Sequence, residues 1–138
     1  MTKRQKILLT VFRFAAAIIL LQTLFFKFTA HPDSVHIFST LGLEPYGRIG
    51  IGILELIAGG LLIYARLSFL GALLAIGLMS GAIFSHLAFL GIEVNNDGGS
   101  LFTLAVVTFV CSAGVLYLQR TQLLRIFSRL FPKLIAAK

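Results

Sequence analysis

Four runs of roughly twenty apolar residues, separated by short polar connections, set the limits on what this chain can fold into. Each run is long enough to cross a hydrocarbon core about 30 Å thick. In lipid the backbone must satisfy its own hydrogen bonds, which leaves helices and closed barrels. The runs lack the strict alternation of barrel strands, so the sequence predicts spanning helices at about residues 7–28, 47–65, 67–90 and 101–118. Hydrophobic residues make up 58% of the chain and charged residues only 12%, too little polar surface for a soluble globule. The predicted fold is therefore all-α: an integral membrane antiparallel four-helix bundle, one domain across residues 1–138.

The connections add two elements. Pro32 ends the first helix near Thr29, because it lacks an N–H and disfavours helical geometry just before it. Asp33 or Ser34 then caps a short helix that runs to Leu41 and stops at Gly42. Val35, Phe38 and Leu41 share one side of it, which predicts a helix on the outer membrane surface. Pro45 suits the first position of the second span. The cluster Asn95-Asn-Asp-Gly-Gly-Ser100 is a turn that supplies an N-cap for the fourth. Residues 119–138 form a basic amphipathic segment with Arg125, Arg129 and Lys133 on one face and Leu123, Phe127, Leu130 and Leu134 on another. That pattern fits an interfacial helix, interrupted near Pro132, on an anionic leaflet. Gly77 and Gly81 make a GxxxG pair, which predicts close helix packing, and small-residue faces of this kind also make oligomerisation an expected partner mode.

Charge orients the chain. Lys3, Arg4, Lys6, Arg66, Arg120, Arg125, Arg129, Lys133 and Lys138 fall on one side of the predicted spans, and Asp33, Glu44, Glu93 and Asp97 on the other. This is the positive-inside pattern, so both termini are expected in the cytoplasm and the protein in a bacterial inner membrane. The net charge of +7 is accounted for by that distribution, and no nucleic-acid partner is expected. Tyr64 and Tyr117 are expected at the inner boundary and Tyr46 at the outer one. The basic start resembles a signal peptide, but the apolar run is too long and Phe28-Thr-Ala30 is a poor cleavage pattern, so a retained first helix is expected. Cys111 is the single cysteine, which excludes an internal disulfide or a CxxC pair and suits a packing role.

Against this background, Glu55 stands out. It lies inside the apolar stretch 49–63, where a carboxylate costs several kcal/mol unless it is paired, protonated or facing water. Arg13, Lys27 and His86 lie within or at the ends of the other runs. Arg13 and Lys27 are about 40° apart on the first helix and roughly 21 Å apart along it. Arg48, Gly52, Glu55 and Gly59 share a stripe whose glycines predict tight packing against another helix, and Ala75, Met79, Ala82 and His86 share another. Counting from the ends puts Glu55 about 12 Å below the outer boundary, Lys27 and His86 in the outermost turns, and Arg13 about 9 Å above the inner boundary. Arg13, Lys27, Glu55 and His86 are thus the candidate polar-core residues, with Arg48 as a secondary candidate. The bland reading is one ion-pair network that fixes helix register. His31 and His36 read as loop residues, and three histidines without HxxxH spacing predict no metal site.

These residues carry a resemblance. Arg13, Phe26-Lys27-Phe28, Leu41-Gly-Leu43, Glu55-Leu-Ile-Ala-Gly-Gly60, and Ala82 with His86 occur in an order that resembles the DoxX family over about residues 8–117. The resemblance implies a small four-helix bacterial membrane protein, in a family where some relatives are linked to quinone-coupled sulfur oxidation or membrane redox maturation. It carries Arg13, Lys27, Glu55 and His86 over as polar-core residues. The chain departs from relatives that use paired thiols, since Cys111 is alone.

The leading expectation is a membrane subunit of an electron-transfer system. A pocket open toward the outer half would bind a quinone or another amphipathic ligand there. Arg13, Lys27 and His86 would donate hydrogen bonds to carbonyl oxygens, and Glu55 would accept or relay a proton. No haem, flavin, nicotinamide or metal motif accompanies these residues, so no catalytic residue is assigned, and electrons would come from a soluble or membrane redox partner. The alternative is a non-enzymatic scaffold or assembly factor. A proton-coupled small exporter ranks third, because the charge bias is strong and Glu55 lies in the second span rather than the first.

Overall fold

A computed structural model describes residues 1–136; Lys138, counted above among the basic residues, lies outside the described residues. The elements are α1 (Lys3–Phe28), α2 (Pro32–Thr40), α3 (Tyr46–Ile63), α4 (Ser68–Ser85), a π-helical turn (His86–Leu90), α5 (Ser100–Leu118), α6 (Arg120–Leu130) and α7 (Pro132–Ile135). Helices α1, α3, α4 with its π-helical turn, and α5 are long and apolar enough to cross a membrane. The protein is an all-α bundle of the kind the apolar runs predict.

Helices α1 and α4 each pack on both α3 and α5, which makes a closed four-membered ring. Within lipid no hydrophobic force drives helices together, so close contact depends on small side chains. Ala16, Ala17, Ala58, Ala72 and Ala75 accordingly fill the middle and are fully buried. At Gly71 the helices come closer than any Cβ permits. A methyl there would stand 2.7 Å from the Leu62 amide nitrogen and 2.8 Å from the Ala58 carbonyl oxygen, so glycine is what lets α3 and α4 touch. The outward faces are also apolar: Ile18 is 63% exposed and Phe25 66% exposed, as expected of helices surrounded by hydrocarbon.

Several ends differ from the sequence reading, each for a local reason. Helix α1 starts at Lys3 because Thr2 and Gln5 form a reciprocal capping box that draws the polar first turn into the helix. Helix α2 is capped by His31, whose Nδ1 accepts from the Asp33 N–H at 3.3 Å, rather than by Asp33 or Ser34. Pro45 occupies the cap position, so α3 begins one residue later, at Tyr46, and the Glu44–Pro45 bond is cis. Gly42 stops α2 with a φ of +70°, as expected of a residue without a Cβ. Gly77 and Gly81 do not pack on a neighbouring helix. A Cβ at either would meet nothing within 4 Å, because both glycines border a cavity.

The two ends of the bundle carry opposite charge. The start of α1, the α3–α4 turn with Arg66, and α6 with Arg125 and Arg129 share one end of the bundle, the basic end. There the Ser68 hydroxyl and the Gln119 side chain are hydrogen bonded at 3.0 Å, and Gln122 donates to the Arg66 carbonyl at 3.2 Å. No residue of α6 is buried, and Leu124, Phe127 and Leu130 of its apolar side are exposed. At the acidic end, α2 crosses the bundle with Ser34 and Phe38 turned inward.

Candidate functional site

The acidic half of the bundle contains a cavity of about 610 Å³, mostly apolar, with residues from α1, α2, α3, α4 and α5 in its walls. Its polar lining includes Lys27, Glu55 and His86, three of the four polar-core candidates. Phe38 from α2 and Gly77 and Gly81 from α4 border the same space.

The geometry begins with two glycines. Gly52 and Gly59 lie one turn to either side of Glu55 and let α1 settle on α3, with the Phe28 ring and Leu21 occupying the room a Cβ would need. This brings the Lys27 ammonium to 2.9 Å from Glu55 Oε2, an ion pair between a carboxylate only 4% exposed and a lysine in the last turn of α1. Thr23 adds a long contact from its hydroxyl to the same oxygen at 3.4 Å, while bonding the Leu20 carbonyl at 2.8 Å. Sequence reasoning missed Thr23. The signal was present, since Thr23 precedes Lys27 by four residues and so shares its helical face.

Arg13 sits elsewhere. Its Nε donates to the Leu62 carbonyl at 2.9 Å and its Nη2 to the Ile63 carbonyl at 2.5 Å, so it closes the last turn of α3 near the basic end. Helix C-termini leave carbonyls without partners, and a guanidinium from a neighbouring helix satisfies two of them. Arg48 is likewise a helix fastener. It holds Glu44 through its Nε at 2.8 Å and donates from Nη1 to the Lys27 carbonyl at the end of α1. Neither arginine lines the cavity.

His86 stands at the junction of α4 and the π-helical turn and is 5% exposed. An i→i+5 bond from the Gly91 N–H to the His86 carbonyl (2.7 Å) places Gly91 so that its own carbonyl lies 2.9 Å from His86 Nδ1. Gly91 has a φ of +79°, a conformation that suits glycine. π-helical turns of this kind recur at functional positions. A carbonyl oxygen only accepts, so Nδ1 is the donor of this bond. His86 thus directs its Nδ1–H to Gly91, and Nε2 is the ring nitrogen left for contact with a ligand. Arg13 bonds to α3 and does not border the cavity, whereas Lys27 and His86 do.

Asp97 borders the cavity from the connection before α5. Its carboxylate accepts from the backbone N–H groups of Val94 (3.0 Å), Gly99 (2.8 Å) and Leu101 (3.1 Å), organising the turn and the start of α5. Burial pushes this carboxyl up, but the three N–H donors, helped by the nearby His86, outweigh it and hold the group below its ordinary value. His31 is used as the α2 cap and His36 is exposed. Among the described residues, no group of three histidine, cysteine or acidic side chains is arranged to hold a metal ion.

Four apolar spanning helices around a buried polar cluster define a small multi-pass membrane protein. The chain belongs to the DoxX-like family, whose sequence model matches residues 8–114. No curated protein and no solved structure matches the chain.

Proposed function

We propose that this protein binds a small amphipathic molecule, of which a quinone is the leading candidate, within the acidic half of the bundle and serves as a membrane subunit of an electron-transfer system. The observation that carries the reading is a mostly apolar cavity of about 610 Å³ whose wall includes a buried ion pair and a histidine. Ligand sites commonly combine an apolar enclosure of about 300–1,000 Å³ with a few convergent polar groups. An apolar tail would lie against Phe38 and the α4 wall, and the head group near Lys27, Glu55 and His86. The charge distribution supports an inner-membrane setting with the basic end, and both termini, in the cytoplasm. A soluble or membrane redox partner would supply the electrons.

One observation favours a second reading, a scaffold or assembly factor. Arg13 and Arg48, two of the buried cations, are committed to helix ends rather than to the cavity. The two readings separate on ligand content. Extraction into native-lipid nanodiscs followed by mass spectrometry should recover an amphiphile enriched over bulk lipid, and Ala82→Phe, which fills the cavity wall, should lower its recovery. If the wild-type protein retains nothing above the lipid background, the ligand reading is wrong and the scaffold reading stands.

A further inference from the structure

We propose that the cavity selects a head group bearing a hydroxyl over the same head group without that O–H, and that the hydroxyl donates to Nε2 of His86. The inference rests on the cavity being a ligand site and goes further by naming which way the hydrogen bond runs. Its basis is the bond between His86 Nδ1 and the Gly91 carbonyl at 2.9 Å. That contact requires the proton on Nδ1, and a neutral imidazole protonated there offers a lone pair at Nε2. Among the described residues Nε2 has no hydrogen-bond partner, and His86 is a cavity-lining residue. The tautomer is thus set from outside the cavity by a glycine whose N–H and carbonyl both bond to the same histidine.

The surrounding groups point the same way. The Thr23 hydroxyl bonds the Leu20 carbonyl, and the Ser85 hydroxyl bonds the Gly81 carbonyl, each at 2.8 Å, so both present lone pairs. Glu55 is an acceptor when ionised, and Lys27, the cation of the lining, is engaged by it at 2.9 Å. Ser34 and Ser100 are lining hydroxyls able to donate or accept, as is the side-chain amide of Gln22. The His86 Nε2 lone pair, with the Thr23 and Ser85 hydroxyl lone pairs beside it, is complementary to a donor. A phenol, a hydroquinone or a lipid alcohol provides one; an ether or an oxidised quinone head does not.

Two matched pairs of probes test this without redox chemistry: 4-dodecylphenol against its methyl ether, and dodecanol against its methyl ether. Each is titrated into the full-length protein in nanodiscs at pH 8, above the ordinary imidazole pKa of about 6.5, with empty nanodiscs subtracted. The alcohol of at least one pair should bind about 2- to 12-fold more tightly than its ether, the range expected for one net hydrogen bond. Preference in the aromatic pair identifies a quinol-like head, and preference in the aliphatic pair identifies a lipid alcohol. Nitrogen NMR of the protein with His31→Gln and His36→Gln should show His86 protonated at Nδ1, with its Nε2 resonance shifting on addition of the alcohol but not the ether. His86→Phe should abolish the preference for the alcohol over its ether.

Equal binding of alcohol and ether in both pairs, or a proton found on Nε2 in the neutral wild-type protein, overturns the proposal while leaving the cavity as a ligand site. Absence of binding by all four probes overturns the proposal together with the ligand reading itself.

Discussion

Replacing Lys27 with methionine should be among the most damaging single changes to this bundle. The substitution removes the ammonium 2.9 Å from Glu55 and leaves a carboxylate that is 4% exposed. Breaking a buried ion pair from one side costs about 3–5 kcal/mol, because the surviving charge is uncompensated. Thr23 cannot take over, since its contact with Glu55 is 3.4 Å long and its proton is directed to Leu20. Ordinary interhelical hydrogen bonds in lipid average about 0.6 kcal/mol, so the charge effect should dominate the measurement. Glu55→Gln should cost less, about 1–2 kcal/mol, because Lys27 sits in the last turn of α1 and can extend toward the headgroups. The double variant Lys27→Met/Glu55→Leu should return to within about 1 kcal/mol of wild type, since neither charge remains. Reversible unfolding in bicelles, followed by steric trapping, measures all four corners of the cycle. A cost below about 1 kcal/mol for Lys27→Met, or strict additivity of the two sites, would mean that cavity water solvates the carboxylate and the pair is incidental.

Other changes probe the rest of the framework. Gly71→Ala should destabilise by about 1–3 kcal/mol in the same assay, because its methyl meets the Leu62 and Ala58 backbone, whereas Gly77→Ala and Gly81→Ala meet open space and should be neutral or up to about 1 kcal/mol stabilising. Arg13→Met leaves the Leu62 and Ile63 carbonyls without these donors and should cost about 1–3 kcal/mol, with faster hydrogen exchange confined to the α3–α4 turn. Asp97 titrates lower in the folded protein than in the unfolded chain, so its stabilisation is complete above about pH 3.9 and is lost as the pH falls through the folded value; Asp97→Asn should flatten that acid limb of an unfolding curve. In a Cys111→Ser background, His36→Cys and Asn95→Cys should label from outside intact cells and Arg66→Cys only after permeabilisation, and outside labelling of position 66 would invert the proposed orientation.

The fold was largely legible because membrane helices announce themselves by length and hydropathy. In the site, what could be read was the face each residue occupies. The Glu55 stripe was legible because its glycines and its carboxylate are spaced at helical intervals, but Lys27 was only one of several basic candidates, and residue counting put it nearer the outer boundary than Glu55. The bonding of Arg13 and His86 was not, because their partners are backbone carbonyls. A carbonyl at Leu62 or Gly91 carries no signature in the residue type, and whether it is free depends on where a helix ends. The π-helical turn is similarly silent: nothing in His86-Leu-Ala-Phe-Leu90 distinguishes it from continued α-helix, yet it alone brings Gly91 beneath the histidine.

The separation of these polar groups along the bundle bears on function. Near the basic end, Gly71 brings α3 and α4 into backbone contact and Arg13 closes α3. Toward the acidic end the same two helices border a cavity, with Gly77 and Gly81 in its wall rather than between backbones. A pocket held open inside a bundle needs its helices fixed at the other end, or the walls would collapse to recover lost packing contacts. Arg13 therefore acts on the cavity from a distance, by anchoring α1 to α3, and Arg48 does the same from the opposite side through Glu44 and the end of α1. On this argument, variants of either arginine alter ligand occupancy only in proportion to lost stability, while variants of Glu55 or His86 alter it beyond that proportion.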